Sequence, residues 1–171
     1  SSDLKEMREE SYKKLNPLGR VPTLEDNELI ISESGAIIQY IISKYGNNQF
    51  IPKINSKEYP SYLQWFHYAE GMIMPQMNII VVETIFLPPD KRNEVNLARA
   101  NKLLSKMLDI VEKNMENKNY LTGELSAADM MTGHAVIMSK NLGIDFSNKP
   151  FLESYIKRLL ARPALKKAWS L

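Results

Sequence analysis

The chain reads as an α+β protein that is mostly α. A helix, a β-hairpin and a second helix form a partial N-terminal domain, and an all-helical domain follows. Three observations predict this. Residues 21–32 hold two short apolar-polar runs around a polar tip. Ile37, Ile38, Ile41 and Ile42 then recur at helical spacing, and beyond Pro60 two long helical stretches flank Leu87-Pro88-Pro89-Asp90.

Each element has a local cause. Ser2-Asp3-x-x-Glu6 is a capping pattern that opens a helix running to about Leu15, before Pro17. Pro22 lacks a backbone donor and fixes φ, so it fits a strand's first residue or a turn. The alternation Val21, Thr23 against Pro22, Leu24, followed by Leu29-Ile30-Ile31, predicts two strands joined through Glu25-Asp26-Asn27-Glu28. Ser32-Glu33-Ser34 sits where the next helix begins, and the isoleucines place branched side chains on one face of it, ending near Gly46. Residues 48–60, with Pro52, Asn55 and Pro60, read as a linker. This gives a first domain over 1–47 and a helical one over 61–171. The predicted helices there are 61–86, 92–117, 127–142, 151–160 and a short one after Pro163. Ser126-x-x-Asp129 is a capping box in which Ser126 caps the N3 amide and Asp129 reaches back to the Ser126 N–H. Leu125 packs on Met130 as a hydrophobic staple. Its role is structural.

Composition excludes several function classes. With 44% apolar residues, 25% charged residues and a net charge of +2, the chain suggests neither disorder nor a polyanion-binding surface. No basic stripe interleaves with aromatics, so nucleic acid is not an expected partner. There is no cysteine, hence no disulfide framework, thiolate metal site or cysteine nucleophile in these residues. No apolar run approaches the roughly 20 residues of a membrane span, no signal peptide opens the chain, and a cytoplasmic location is expected. His67 and His134 belong to no spaced ligand set, so no metal is expected.

The informative chemistry lies around Val21-Pro22 and Glu33-Ser34. A cis Val21–Pro22 bond would leave the Val21 N–H and C=O free to pair with an extended ligand. At the helix start, unpaired N–H groups and the positive end of the dipole favour a carboxylate. Glu33 can accept from an ammonium, Ser34 can donate to a carboxylate, and Gly35 and Ala36 permit close approach. Together these could grip a small peptide carrying a free α-amino acid end. Ordinary capping by Ser and Glu uses the same residue types.

Asn16-Pro17-Leu18-Gly19-Arg20-Val21-Pro22-Thr23-Leu24 followed by Ser32-Glu33-Ser34-Gly35-Ala36-Ile37 resembles the glutathione-binding half of the soluble glutathione transferases, a thioredoxin-like domain. The resemblance continues through Tyr62-Leu63-Gln64-Trp65-Phe66-His67-Tyr68-Ala69-Glu70-Gly71, similar to the start of the family's long fourth helix. Leu121-Thr122-Gly123-Glu124-Leu125-Ser126-Ala127-Ala128-Asp129 looks like its buried capping segment, and Arg162-Pro163-Ala164 resembles its last-helix signature. The resemblance implies that Val21 bonds the cysteinyl part of glutathione through its backbone, and that Glu33 and Ser34 grip the γ-glutamyl end. Arg20 is placed to reach the glycyl carboxylate, or else is a solvated surface arginine. Tyr68, Met72 and Trp169 are electrophile-pocket candidates by position alone. Met72, Met74 and Met77 serve either an adaptable pocket or the core, and Glu70 would approach the other subunit's glutathione in the family's homodimer.

The implied activity is conjugation of the glutathione thiolate to a small apolar electrophile, of the detoxification type, in a bacterial-type enzyme. A non-catalytic transferase-like scaffold is the alternative. The thiol needs stabilising, because its free pKa of about 8.5 leaves it mostly protonated. The family uses a Tyr, Ser or Cys at the end of the first strand. Residues 1–15 resemble the family's second helix instead, so the activating residue is expected N-terminal to this chain. Tyr12 lies within a helix and does not replace it. A fragment, a genuine short form covered by a partner subunit and a scaffold are all compatible with such a beginning.

Overall fold

The computed structural model describes residues 5–170, and the chain divides into two units, Ser1–Phe50 and Ile51–Leu171. Lys5 and Glu6 are helical, the helix expected to run to Leu15 breaks at residues 7–9, and helix α1 spans Glu10–Leu15; Ser2 and Asp3 of the capping pattern lie outside the described residues. Upstream of α1, Arg8 and Glu9 donate to Lys5 and Glu6 in tight three-residue turns, and Glu9 is extended at ψ 146°. Residues 5–10 carry only Met7 as an apolar side chain, so no packed face holds a longer helix straight.

The hairpin follows as β1, Thr23–Asp26, and β2, Leu29–Ser32, antiparallel with Thr23 opposite Ser32 and Asp26 opposite Leu29. The connection is thus only Asn27-Glu28. Asn27 takes φ +57°, which its short side chain tolerates, so Glu25 and Asp26 remain in the strand instead of forming the tip. Helix α2, Ser34–Tyr45, buries Ile37 and Ile42, while Ile38 is half-buried and Ile41 is exposed. The isoleucine face is therefore narrower than its spacing suggests. Asp26 ties the hairpin tip to the end of α2. Its Oδ2 accepts from Tyr40 at 2.7 Å, Lys44 at 2.8 Å and Tyr45 at 2.5 Å. Lys44, then Tyr45 and Tyr40, hold the Asp26 carboxyl well below the usual carboxylate range.

In the second unit a helical run covers Tyr59 to Phe86. Helix α3 is Tyr59–Tyr68, a π-turn occupies Ala69–Ile73, helix α4 is Met74–Val81, and a second π-turn covers Val82–Phe86. The first π-turn answers Pro75. Proline has no N–H to bond four residues back and its ring would strike that carbonyl. A widened turn, with the Met74 N–H reaching Ala69 O, carries the helix past it. A short 3₁₀ turn at Pro89–Lys91 separates this run from α5, Glu94–Met115, whose Asn93 side chain caps the Asn96 N–H at 2.9 Å. A third π-turn, Asp129–Gly133, leads into α6, His134–Asn141; α7 is Pro150–Leu160 and α8 is Pro163–Trp169.

Leu104, Leu108 and Val111 of α5 are fully buried with Tyr62, Phe66, Ile73, Val136, Ile137 and Leu152. Polar groups join the same helices. Thr132 Oγ1 donates to Trp65 O at 2.6 Å, and the Glu112 carboxylate of α5 accepts from Phe151 N at 3.0 Å and Leu152 N at 2.7 Å, capping α7. The Tyr62 hydroxyl is buried without a hydrogen-bond partner among the described residues, and burial pushes its pKa up to about 12.

The capping box differs from its expected form. Ser126 N donates to Asp129 Oδ2 at 2.9 Å, as predicted, but the Ser126 hydroxyl donates to that same oxygen at 3.1 Å instead of accepting from an N3 amide. Asp129 Oδ1 accepts from Leu121 N at 3.0 Å and Tyr155 OH at 2.7 Å. An ionised carboxylate offers acceptors only, and four converging donors claim the serine proton for it. Met130, the expected staple partner of Leu125, is 37% exposed. Burial raises the Asp129 carboxyl above its usual range; the donors from Leu121, Tyr155 and Ser126 pull it back. Gly133 completes the site: a Cβ there would lie 2.8 Å from the Tyr155 hydroxyl and 2.7 Å from Leu159 Cδ1.

Candidate functional site

The first unit brings the loop 16–22 and the start of α2 into one short stretch of chain, bridged by the hairpin. Asn16, only 6% exposed, organises the loop. Its backbone N–H continues the helix to Tyr12 O at 2.9 Å, its Oδ1 accepts from Leu18 N at 3.1 Å, and its Nδ2 donates to Arg20 O at 2.8 Å and Thr23 Oγ1 at 3.2 Å. Swapping the amide atoms would set oxygen against the Arg20 oxygen, so this network fixes the orientation. Tyr12 OH donates to the same Arg20 carbonyl at 2.7 Å and lies 3.0 Å from Thr23 Oγ1. Gly19 makes the tight return possible. It has φ +58°, and a Cβ there would lie 2.7 Å from the Met7 carbonyl oxygen.

Beyond this anchor the chain turns outward. The Val21–Pro22 bond is cis, Val21 is 66% exposed, and the ladder of the hairpin begins only at Thr23. The Val21 backbone N–H and C=O are therefore not used in strand pairing. The Arg20 side chain is exposed and forms no ion pair among the described residues.

Glu33 opens α2 in an unusual conformation, φ +76° and ψ 118°, with no side-chain bond capping the helix. A non-glycine residue held there costs on the order of 1–3 kcal/mol. Its carbonyl accepts from Ile37 N at 2.9 Å, which starts the helical ladder. Its carboxylate is exposed. The Glu33 side chain does not cap this helix start. Ser34 is half-buried at the first position of α2.

The remaining candidates lie in the second unit. Tyr68 is 8% exposed, and its hydroxyl donates to Met107 O at 3.1 Å, so it is part of the packing of α3 on α5. Met72 is exposed at 40%, whereas Met77 is buried, with Ser139 Oγ 3.2 Å from its sulfur. Trp169 is 44% exposed and meets His134 edge-on at a centroid distance of 6.3 Å. Desolvation lowers the His134 pKa, and Glu70 pulls it the other way. His67 is exposed and meets the Phe66 ring edge-on. Among the described residues no group of three His, Asp or Glu side chains is arranged to hold a metal, and no helix is long and apolar enough to cross a membrane.

Sequence reasoning treated Asn16 only as part of a turn and Thr23 only as a strand residue. The available signal was spacing: Tyr12 and Asn16 lie one helical turn apart, so both side chains leave α1 on the same side, facing the loop that follows.

Both units of the chain are similar to known proteins. Residues 3–49 match the family described as "Glutathione S-transferase, N-terminal domain". Over 170 residues the chain is 29% identical to a glutathione S-transferase of Hyoscyamus muticus, covering 94% of this chain and 79% of that protein. The glutathione transferase URE2P6 of Phanerochaete chrysosporium, solved in complex with oxidized glutathione, aligns at 26% identity with a TM-score of 0.85, covering 99% of this chain and 80% of that one. A glutathione transferase homolog from Lodderomyces elongisporus, solved with two GSH per subunit, shares the fold at 22% identity and a TM-score of 0.87, covering 99% of this chain and 84% of that one. The family match thus falls within the first unit, and the similarity to glutathione transferases runs over both units.

Proposed function

We propose that the chain binds glutathione on its first unit and serves a glutathione transferase that joins the glutathione thiolate to a small apolar electrophile. The observation that carries the reading is the start of α2. Glu33 is held at φ +76° with an exposed carboxylate, at the start of a 12-residue helix that its own side chain does not cap, a short hairpin away from the exposed Val21. Strain of this kind persists where the surrounding structure enforces it, and it gathers at ligand sites.

In this reading the Val21 backbone pairs with the cysteinyl residue of glutathione, next to Pro22. Glu33 accepts from the γ-glutamyl ammonium, Ser34 and the α2 N–H groups take the α-carboxylate, and Arg20 approaches the glycyl carboxylate. Residues 1–47 form the glutathione-binding domain, 48–60 the linker and 61–171 the helical domain. Ser126 and Asp129 stabilise that last domain and take no part in the chemistry. Met72 and Trp169 are the exposed candidates for contact with the electrophile; Tyr68 contributes through packing. Tyr12 donates its hydroxyl to Arg20 O, and the group that ionises the thiol is assigned outside these residues. A cytoplasmic homodimer without metal, acting in detoxification, completes the proposal.

The test uses this chain directly: retention on immobilised glutathione, then conjugation of glutathione to a generic aryl halide. Retention supports the binding reading, and turnover supports the catalytic one. Retention without turnover makes the chain a glutathione-binding scaffold, and failure of both refutes the proposal.

A further inference from the structure

We propose that Tyr12 and Asn16 are positioning residues, which aim the Val21 amide at the ligand by fixing the carbonyl of Arg20. The inference rests on the proposed glutathione site for its ligand, but not for its geometry. Two side-chain donors, Tyr12 OH at 2.7 Å and Asn16 Nδ2 at 2.8 Å, converge on the Arg20 oxygen. Thr23 Oγ1, itself held by both of them, stands 3.5 Å away. The Arg20–Val21 peptide is trans, since the one cis bond among the described residues is Val21–Pro22. In a planar trans peptide the C=O and the next N–H point in opposite directions. Holding the Arg20 carbonyl inward therefore turns the Val21 N–H outward, at a residue that is 66% exposed.

A turn that merely reversed the chain would not need this arrangement. Asn16 is buried, and each of its three side-chain hydrogen bonds is made within the loop or to the first residue of β1. Burying an amide is tolerated only when its donors and acceptor are satisfied. Here that satisfaction is spent on one peptide plane. Rotation of that plane would swing the Val21 N–H away from a ligand carbonyl, so Tyr12 and Asn16 govern glutathione affinity without touching glutathione.

The experiment compares the unaltered chain with Tyr12→Phe and Asn16→Asp. Tyr12→Phe removes a single hydroxyl. Asn16→Asp keeps the acceptor for Leu18 N but sets a carboxylate oxygen against the Arg20 carbonyl. With ¹⁵N-valine labelling, the residual dipolar coupling of the Val21 N–H reports the orientation of the peptide plane without any ligand. Calorimetry then gives affinities for glutathione and for an analogue whose cysteinyl carbonyl is reduced to a methylene. We expect the Val21 coupling to change in both variants. Glutathione should bind roughly five- to tenfold more weakly in Tyr12→Phe, the worth of about one hydrogen bond. The analogue should bind the unaltered chain more weakly than glutathione does, and that penalty should shrink in Asn16→Asp. If Asn16→Asp does not fold, as judged by thermal unfolding, Tyr12→Phe carries the same comparison. An unchanged Val21 coupling, or an analogue penalty equal in all forms, overturns the positioning role. If the unaltered chain does not bind glutathione, the binding proposal falls, and the Val21 coupling still decides the geometry.

Discussion

Replacing Glu33 with glycine separates stability from binding. At φ +76° the side chain of an L-residue strains the backbone, at a cost of roughly 1–3 kcal/mol. Glycine removes that strain but adds about 0.5–1 kcal/mol of unfolded-state freedom. Glu33→Gly should therefore stabilise the first unit by about 1 kcal/mol. The same change deletes the carboxylate proposed to meet the γ-glutamyl ammonium. A hydrogen bond to a charged group is worth about 1.5–3 kcal/mol, so glutathione affinity should fall by roughly 10- to 100-fold. Glu33→Gln supplies the control, since it keeps the strain and the shape while losing the charge; it should weaken binding with no gain in stability. Both tryptophans, Trp65 and Trp169, lie in the second unit, so fluorescence does not report on the first. Amide exchange across α2 measures local stability, and calorimetry measures affinity. A Glu33→Gly protein with faster α2 exchange, or with unchanged affinity, would refute the reasoning.

Three further outcomes follow from the second unit. Asp129→Ala strips the acceptor from two buried backbone donors and from Tyr155, each worth about 1–3 kcal/mol when left unpaired, so a loss of about 3–5 kcal/mol is expected; a change under about 1 kcal/mol in denaturant unfolding would contradict it. Glu112→Ala removes the carboxylate that caps α7 and should cost about 1–2 kcal/mol, with faster exchange at the Phe151 and Leu152 amides; unchanged exchange there would rule out the cap. His134 has a depressed folded pKa, so the unfolded state binds its proton first as pH falls. Its contribution is present above about pH 6.5 and is lost as the pH drops through that value. The stability gap between the native chain and His134→Gln should therefore shrink in acid, and Glu70→Gln should lower the His134 pKa further by NMR titration. A gap that widens in acid reverses the sign.

The residues that punctuate the backbone made much of this fold legible. Pro22, Asn27, Gly46, Pro88 and Pro89 act through their own φ preferences or missing donors, which are properties of single residues. Features set by convergence were hidden. Three donors other than the serine hydroxyl meet the Asp129 carboxylate, and nothing in Ser126-x-x-Asp129 states that Tyr155 and Leu121 will arrive there. The π-turns depend on how the helix wraps its neighbours, and the single helix expected over 61–86 took no account of Pro75. At the site, the spacing of Val21-Pro22 and Glu33-Ser34 was visible. The left-handed Glu33 was not, because a glutamate carries no local preference for that conformation.

The most direct measurement is an amide NMR titration of the ¹⁵N-labelled chain with reduced glutathione. The account predicts that the largest shifts fall on Val21, Glu33, Ser34, Gly35 and Ala36, and that Glu33→Gln weakens them together. Saturating glutathione that leaves those amides in place, or that moves only residues of the helical unit, would contradict it.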